Sequence, residues 1–152
     1  MVNEIRLKDI AAATFTCTLA SLATASARQS TMVTNTNDYP AALVFFKIRS
    51  GTVAPTAGAL YEVYLLRGDG TIRDDNAGAL DAAITIENAP LLGTIVVTAT
   101  IGKDFYGVFD TAPLGPLGNE WGIAVKNSSG QALDATEANF RKAYVYYVPE
   151  VQ

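Results

Sequence analysis

The stretch ALVFFKIRSG, residues 42–51, decides the fold. Apolar side chains recur in it at every second position, at Val44, Phe46 and Ile48, and the charged side chain of Lys47 stands between the last two. A period of two is typical of a β-strand that buries one face and turns the other to solvent. The stretch therefore predicts a strand that covers a core and ends at the glycine that closes the stretch.

Strand signals recur along most of the chain, and turn-forming clusters separate them. Alternating apolar residues occupy four further segments: residues 61–65, 95–101, 121–125 and 143–148. Clusters rich in Gly, Pro, Ser and Asn occupy residues 50–58, 67–70, 111–119 and 127–131. Short strands at this spacing predict an all-β protein, an antiparallel β-sandwich with jelly-roll-like connections. Helical turns fit only in residues 3–13, 74–83 and 133–140.

The length of 152 residues fits one domain that holds its own core. We expect a single β-sandwich domain over residues 21–152, preceded by an N-terminal arm or edge segment over residues 1–20. Residues 11–37 are rich in Ala, Ser and Thr, with loosely spaced apolar side chains. Such a segment suits edge strands or an extended arm that lies on a neighbouring subunit.

The residues that most catalytic sites need are scarce. The chain has no His and a single Cys, which excludes a Cys/His zinc site, a Ser-His-Asp triad, a Cys-His pair and an intrachain disulfide. Cys17 lies in FTCTL, where apolar residues alternate with threonines, and this position predicts a buried core thiol. We therefore predict a protein that is not an enzyme, with no catalytic residue and no cofactor.

The charge and hydropathy of the chain argue against two kinds of partner. The formal net charge is −4, and the eleven basic side chains are scattered, so there is no footprint for nucleic acid. No apolar run reaches the length of a membrane span. The start, MVNEIRLKDIAAAT, lacks the basic and apolar regions of a signal peptide, which predicts a protein made in the cytoplasm.

The segment YLLRGDGTIRDD, residues 64–75, offers an adhesion tripeptide and an acidic loop at once. The sequence Asp69-Gly70 supplies the positive φ that a tight bend between two strands needs, so we interpret the tripeptide as a turn. Asp69, Asp74, Asp75 and Asn76 offer oxygen donors, but their spacing does not follow the calcium-loop pattern. A cation in this loop is left open.

Aromatic side chains crowd the C-terminal end of the chain. Phe140, Tyr144 and Tyr146 fall on one face of the predicted strand, and Tyr147 falls on the other with Val145. Because both faces then need cover, we predict that Phe140, Tyr144, Tyr146 and Tyr147 form an interface with another protein subunit.

Three segments of the sequence resemble those of a known group of proteins. They are the run from Ser21 to Gly51, the segment YEVYLLRGDG at residues 61–70, and the segment from Arg73 to Ile95. Together they resemble small virion proteins encoded among the structural genes of tailed bacteriophages. The resemblance spans residues 21–148 and carries no functional residues onto individual positions. It implies a jelly-roll or related β-sandwich that works as a structural component of the particle.

These observations predict a non-enzymatic virion structural protein, a capsid decoration (cement) protein that binds and stabilises the assembled head. Its expected partners are the major capsid protein or other virion proteins, and further copies of itself in a homotrimer, because a sandwich leaves strand edges that need a partner. The expected location is the virion.

Three alternatives remain. The start of the chain is also similar to the openings of some phage tail and fibre proteins, which keeps a tail-associated role open. A carbohydrate-binding receptor-recognition module would use Tyr106 and the tyrosines between residues 144 and 147 as platforms. An enzyme with an acid pair would use two of the glutamates Glu62, Glu87, Glu120, Glu137 and Glu150.

Overall fold

The computed structural model describes residues 5–9 and 11–151, and within this part of the chain there is no α-helix. The strands are β1 Ile5–Asp9, β2 Ala13–Thr14, β3 Ala27–Gln29, β4 Val33–Thr34, β5 Ala41–Arg49, β6 Leu60–Gly68, β7 Ala82–Ile84, β8 Leu91–Val96, β9 Asp104–Asp110, β10 Glu120–Ser128 and β11 Arg141–Val151. Three single 3-10 turns cover Asp74–Asn76, Ala112–Leu114 and Glu137–Asn139. None of the helices in the described residues has the length and apolar character needed to cross a membrane.

The strands form two antiparallel sheets that pack against each other. Sheet I has the order β1-β11-β5-β9, with β2 also paired to β11. Sheet II has the order β7-β3-β10-β6-β8, with β4 also paired to β10. If β1 and β2 count as one strand and β3 and β4 as another, these orders are those of an eight-stranded jelly roll, with β7 as an extra edge strand. The predicted all-β antiparallel sandwich is confirmed.

The alternation of apolar residues that predicted β5 corresponds to the alternation of buried and half-buried side chains in the structure. Val44, Phe46 and Ile48 point into the core, and the intervening side chains face outwards and are half-buried. The core between the sheets also holds the largest buried side chains of sheet II, among them Tyr61, Leu65, Trp121 and Ile123. Burial of these apolar side chains on both inner faces is what holds the two sheets together.

The N-terminal segment lies within the sandwich wherever it is described. β1 and β2 pair with β11, and Phe15, Cys17 and Leu19 then enter the core. Residues 1–4 and 10 of the predicted arm lie outside the described residues. The side chains that fill the core therefore begin before residue 20, the boundary predicted between arm and domain.

The helical turns follow the sequence in two places out of three. Asp74–Asn76 and Glu137–Asn139 form 3-10 turns inside the segments predicted to allow them. In the segment 3–13 the described residues instead form β1 and the first residue of β2, because β11 offers them a strand to pair with. The turn Ala112–Leu114 was not predicted, although Pro113 at its start favours a helical φ.

Candidate interaction surface

Three of the four aromatic residues predicted to form an interface lie inside the core of the chain. Phe140, Tyr144 and Tyr146 are only 7%, 7% and 8% exposed. Tyr144 and Tyr146 pack edge-on against Trp121 of sheet II, with ring centroids 5.0 Å and 5.8 Å away. Their apolar area is therefore covered within one chain, and any contact that they make with a partner would need the sandwich to open.

One hydrogen bond and two further ring contacts complete this aromatic cluster. The indole Nε1 of Trp121 donates to the hydroxyl of Tyr146 at 2.7 Å, which joins the two sheets. Phe15 packs edge-on against Trp121, and Tyr39 stacks on Tyr146 with a centroid distance of 4.5 Å. Burial raises the pKa of Tyr144 to about 12, so its hydroxyl stays neutral. The cluster is a structural centre of the sandwich.

Tyr147 faces the opposite side of β11, on the outer face of sheet I. Its hydroxyl donates a hydrogen bond at 2.5 Å to Oδ1 of Asp110, which is the last residue of β9. Burial, together with this hydrogen bond to a carboxylate, raises the pKa of Tyr147 to about 12. Tyr147 is the one member of the predicted interface set that lies at the surface.

Exposed apolar side chains gather instead along the flank formed by β8, β9 and the turn between them, which we name the β8–β9 flank. Of the eight large hydrophobic side chains that are exposed in the described residues, five lie here: Leu91, Val96, Ile101, Tyr106 and Val108. Tyr106 and Val108 are 70% and 60% exposed. Leu91 and Val96 belong to sheet II and Tyr106 and Val108 to sheet I, so exposed apolar side chains occur on both sheets along this flank. Single exposed apolar residues are ordinary on protein surfaces, whereas a concentration of them along one flank favours a contact surface.

The same flank carries two unpaired strand edges. In the described residues β8 pairs only with β6, and β9 pairs only with β5. The two edges lie close together because Gly93 and Gly107 let the sheets approach: a Cβ atom at Gly93 would lie 2.3 Å from the Phe109 ring, and one at Gly107 would lie 2.8 Å from Ile95. Unpaired edges with exposed apolar side chains are ready sites for pairing with another chain.

A shallow apolar hollow of about 360 Å³ continues this flank across the outer face of sheet I. The apolar side chains around it are Ala12, Phe45, Tyr106, Val108, Ala143 and Val145. Lys47 and Arg141 stand at one end of this face, where they are opposite each other in the β5–β11 register. Asp110 stands at the other end, opposite Leu43. Asp104 faces Lys47 at 4.0 Å, so the face is apolar in the middle, mixed in charge at one end and acidic at the other.

The carboxylates of the acidic loop, residues 69–76, accept hydrogen bonds from backbone N–H groups of the same chain. Oδ1 of Asp69 accepts hydrogen bonds from the backbone N–H groups of Thr71 and Ile72, and Gly70 has φ of +99°. Arg67 and Gly68 thus end β6, and Asp69 and Gly70 form the bend that follows, as the turn chemistry of Asp-Gly predicts. The carboxylate of Asp75 accepts hydrogen bonds from the backbone N–H groups of residues 87, 88 and 89 instead of facing Asp69. The described residues contain no group of three or more acidic, Cys or His side chains that could hold a metal ion.

A second, polar hollow of about 540 Å³ lies beside β7. The side chain of Gln29, which lines this hollow, is already used within the chain, since it donates to the carbonyl groups of Gly78 and Leu80, each at 2.7 Å.

Cys17 is buried in the core between the two sheets, and burial raises the pKa of its thiol to about 12. A protonated, enclosed thiol is a poor nucleophile.

The sequence pointed to one part of this surface and missed the rest. Tyr106 was singled out as a candidate platform, but its strand, DFYGVFD, was not predicted. The signal is present, because Phe105 and Phe109 alternate with Tyr106 and Val108. Both faces of the strand are apolar, so alternation alone does not say which face is exposed.

Comparisons with protein-family models, with curated proteins and with solved structures found no match to this chain.

Proposed function

We propose that this chain is a non-enzymatic structural protein of a tailed-bacteriophage virion, and that it decorates the head as a cement protein. The observation that carries the proposal is the β8–β9 flank, where two open strand edges meet a cluster of exposed apolar side chains on a jelly roll. Such a surface suits contact with other proteins. The resemblance of residues 21–148 to small virion proteins is the reason why we propose a virion as the assembly that it joins.

The stabilising effect of such a protein follows from where it binds. A protein that binds the assembled head and not the free capsid subunits adds its binding free energy to the assembled state. Each contact can be weak because many copies act on one shell. The partner is then the major capsid protein, and the location is the virion.

The test uses purified heads that lack this protein. Added protein should sediment with the heads and raise the temperature at which they release DNA, and Val108→Lys on the flank should reduce both effects. Ile72→Lys is the matched control, because Ile72 is at least as exposed as Val108 but belongs to the acidic loop after β6 and to neither edge strand. If the wild-type protein fails to sediment with heads, the cement role is rejected, and mass spectra of purified tails then test the tail-associated role.

A carbohydrate-binding module is the second candidate, and the exposed ring of Tyr106 beside Lys47 favours it. An aromatic ring next to a charged donor is a common way to hold a sugar. Specific binding on a glycan array that Tyr106→Ala abolishes would support this candidate over the cement role.

A further inference from the structure

The main-chain groups of β9 alternate between its two sides, and hydrogen bonds at the ends of the strand show which residues face outwards. The N–H of Thr111 donates to the carbonyl of Ala42, and the N–H of Ser50 donates to the carbonyl of Lys103, both at 3.0 Å. In an antiparallel ladder the residues that bond to the neighbour alternate with those that do not. The odd-numbered residues of β9 therefore bond to β5. The residues whose N–H and C=O groups face the open edge are Asp104, Tyr106, Val108 and Asp110.

The open edge has little protection against pairing. Natural edge strands are guarded by lysine, proline, bulges or inward-pointing charges, and β9 has none of these within its length. Its only charges are the aspartates at its two ends, and Tyr106 and Val108 in between are exposed and apolar. The edge therefore offers both main-chain hydrogen bonds and apolar contact to an added strand.

We propose that β9 of one copy pairs antiparallel with β9 of a second copy about a two-fold axis, joining the two copies of sheet I into one continuous sheet. Antiparallel pairing of a strand with its own copy is self-complementary, which is the symmetry of most homodimers. The proposal does not depend on the virion location and would hold for any role of the protein.

Charge selects the register of this pairing. A pair centred on Gly107 would place Asp104 opposite Asp110 of the second copy, twice, and like charges directly opposite each other destabilise a sheet. A pair centred on Val108 avoids this repulsion, because it places Asp110 opposite Tyr106 of the second copy. Lys47 lies opposite Tyr106 in its own sheet, one strand away from that Asp110, and it also faces Asp104 at 4.0 Å. Asp110 accepts its intrachain hydrogen bonds at Oδ1, which leaves Oδ2 for a contact with Lys47 of the second copy.

The Val108-centred pair joins three residue pairs by main-chain hydrogen bonds and brings the two Val108 side chains together. One strand pair covers far less than the roughly 800 Å² per partner of a standard interface. We therefore expect a weak dimer, with a dissociation constant on the order of 0.1–1 mM. The exposed edges also predicted a homotrimer, and sedimentation separates the two states.

The experiment is sedimentation velocity of the full chain over a wide concentration range, with amide hydrogen exchange as the local readout. Wild-type protein should move from monomer to dimer, and the amides of Tyr106 and Val108 should exchange more slowly as the concentration rises. Val108→Pro should weaken the dimer about tenfold or more, because it removes an N–H from the open edge while the bonds to β5 remain. Val108→Thr is the matched control that keeps the N–H and the branched shape.

Two further variants test the register. Asp110→Asn should weaken the dimer, whereas Asp104→Asn should not weaken it, because Asp104 lies opposite no residue of β9 in this register and its removal leaves Lys47 free. If both variants tightened the dimer, the Val108-centred register would be overturned. If Val108→Pro fails to fold by circular dichroism, Tyr106→Pro replaces it, since that N–H faces the same edge. A monomer at 1 mM, a trimer, or a dimer that tolerates both proline variants would overturn the pairing itself.

Discussion

The indole of Trp121 in sheet II donates a hydrogen bond to the hydroxyl of Tyr146 in sheet I, 2.7 Å away. Both side chains are buried, so the bond joins the two sheets in a region that water does not reach. Removal of the acceptor would leave a buried N–H without a partner, and such a group carries its full desolvation cost.

Tyr146→Phe is therefore expected to lower the free energy of unfolding by about 1–3 kcal/mol, although the ring and its stacking remain. Denaturant unfolding followed by Trp fluorescence measures the loss. Tyr147→Phe is the matched control, because its hydroxyl bonds to Asp110 at the surface, and it should cost less than about 1 kcal/mol. Equal losses in the two variants would contradict a special role for the bond between the sheets.

The close approach of the sheets at the β8–β9 flank predicts a steric effect. Gly107→Ala would place its Cβ 2.8 Å from Ile95 and 2.9 Å from the Phe109 ring, so one of these side chains must move. We expect a loss of about 1–3 kcal/mol in thermal or denaturant unfolding. Gly78→Ala is the control, since its Cβ would meet only Gln29 at an ordinary 3.5 Å. A loss for Gly78→Ala as large as that for Gly107→Ala would contradict the steric explanation.

The fold could be predicted from the sequence where large apolar side chains repeat at every second position. β5, β6 and β10 each turn three such side chains into the core, and all three strands were recognised from this period of two. The predicted strand at 95–101 ends earlier, at Val96. The bond from the N–H of Val97 to the carbonyl of Ala59 continues the register of β8 with β6 for one more residue, and the chain then turns at Gly102, whose φ is +60°.

The candidate surface was less predictable because the sequence pattern does not distinguish an aromatic residue in the core of a chain from one in an interface. Tyr144 and Tyr146 needed cover, and the sequence could not show that Trp121, more than twenty residues away, supplies it. Tyr106 and Val108 became recognisable only when the sheet order placed β9 at an edge. Edge position is a property of the topology and not of the local sequence.

A polar contact between the N-terminal segment and sheet II predicts a dependence on pH. Asp81 accepts hydrogen bonds from the N–H and hydroxyl of Thr18 and from Nε of Arg28. Burial alone would raise the pKa of Asp81, but these bonds outweigh it and hold the pKa below its ordinary value. Because the folded pKa lies below the unfolded one, this stabilisation is complete above about pH 4 and is lost as the pH falls through the folded pKa.

Asp81→Asn should therefore lower the free energy of unfolding by about 1 kcal/mol at pH 7. The gap between variant and wild type should shrink as the pH falls below about 4. Unfolding curves at a series of pH values measure this gap. Asp38→Asn is the control, because Asp38 is exposed and its carboxylate has no hydrogen bond to the described residues. A gap that stayed constant down to pH 2 would show that the charge of Asp81 contributes nothing.

The N-terminal segment separates into two parts that should respond differently to truncation. Deletion of residues 1–10 removes β1, which pairs with β11 at the edge of sheet I, and keeps Phe15 and Leu19. Deletion of residues 1–20 also removes Phe15 and Leu19, which are buried in the core. Each such side chain is worth about 2–5 kcal/mol, and a whole domain has only about 5–15 kcal/mol.

We therefore expect the protein without residues 1–10 to unfold cooperatively and the protein without residues 1–20 to lack a folded state. Circular dichroism and thermal unfolding distinguish the two. Leu19→Ala in the full chain is the matched point variant, and it should cost about 2–5 kcal/mol without removing any strand. A cooperative transition near the wild-type temperature after deletion of residues 1–20 would show that Phe15 and Leu19 are dispensable, and that residues 21–152 form the sandwich alone.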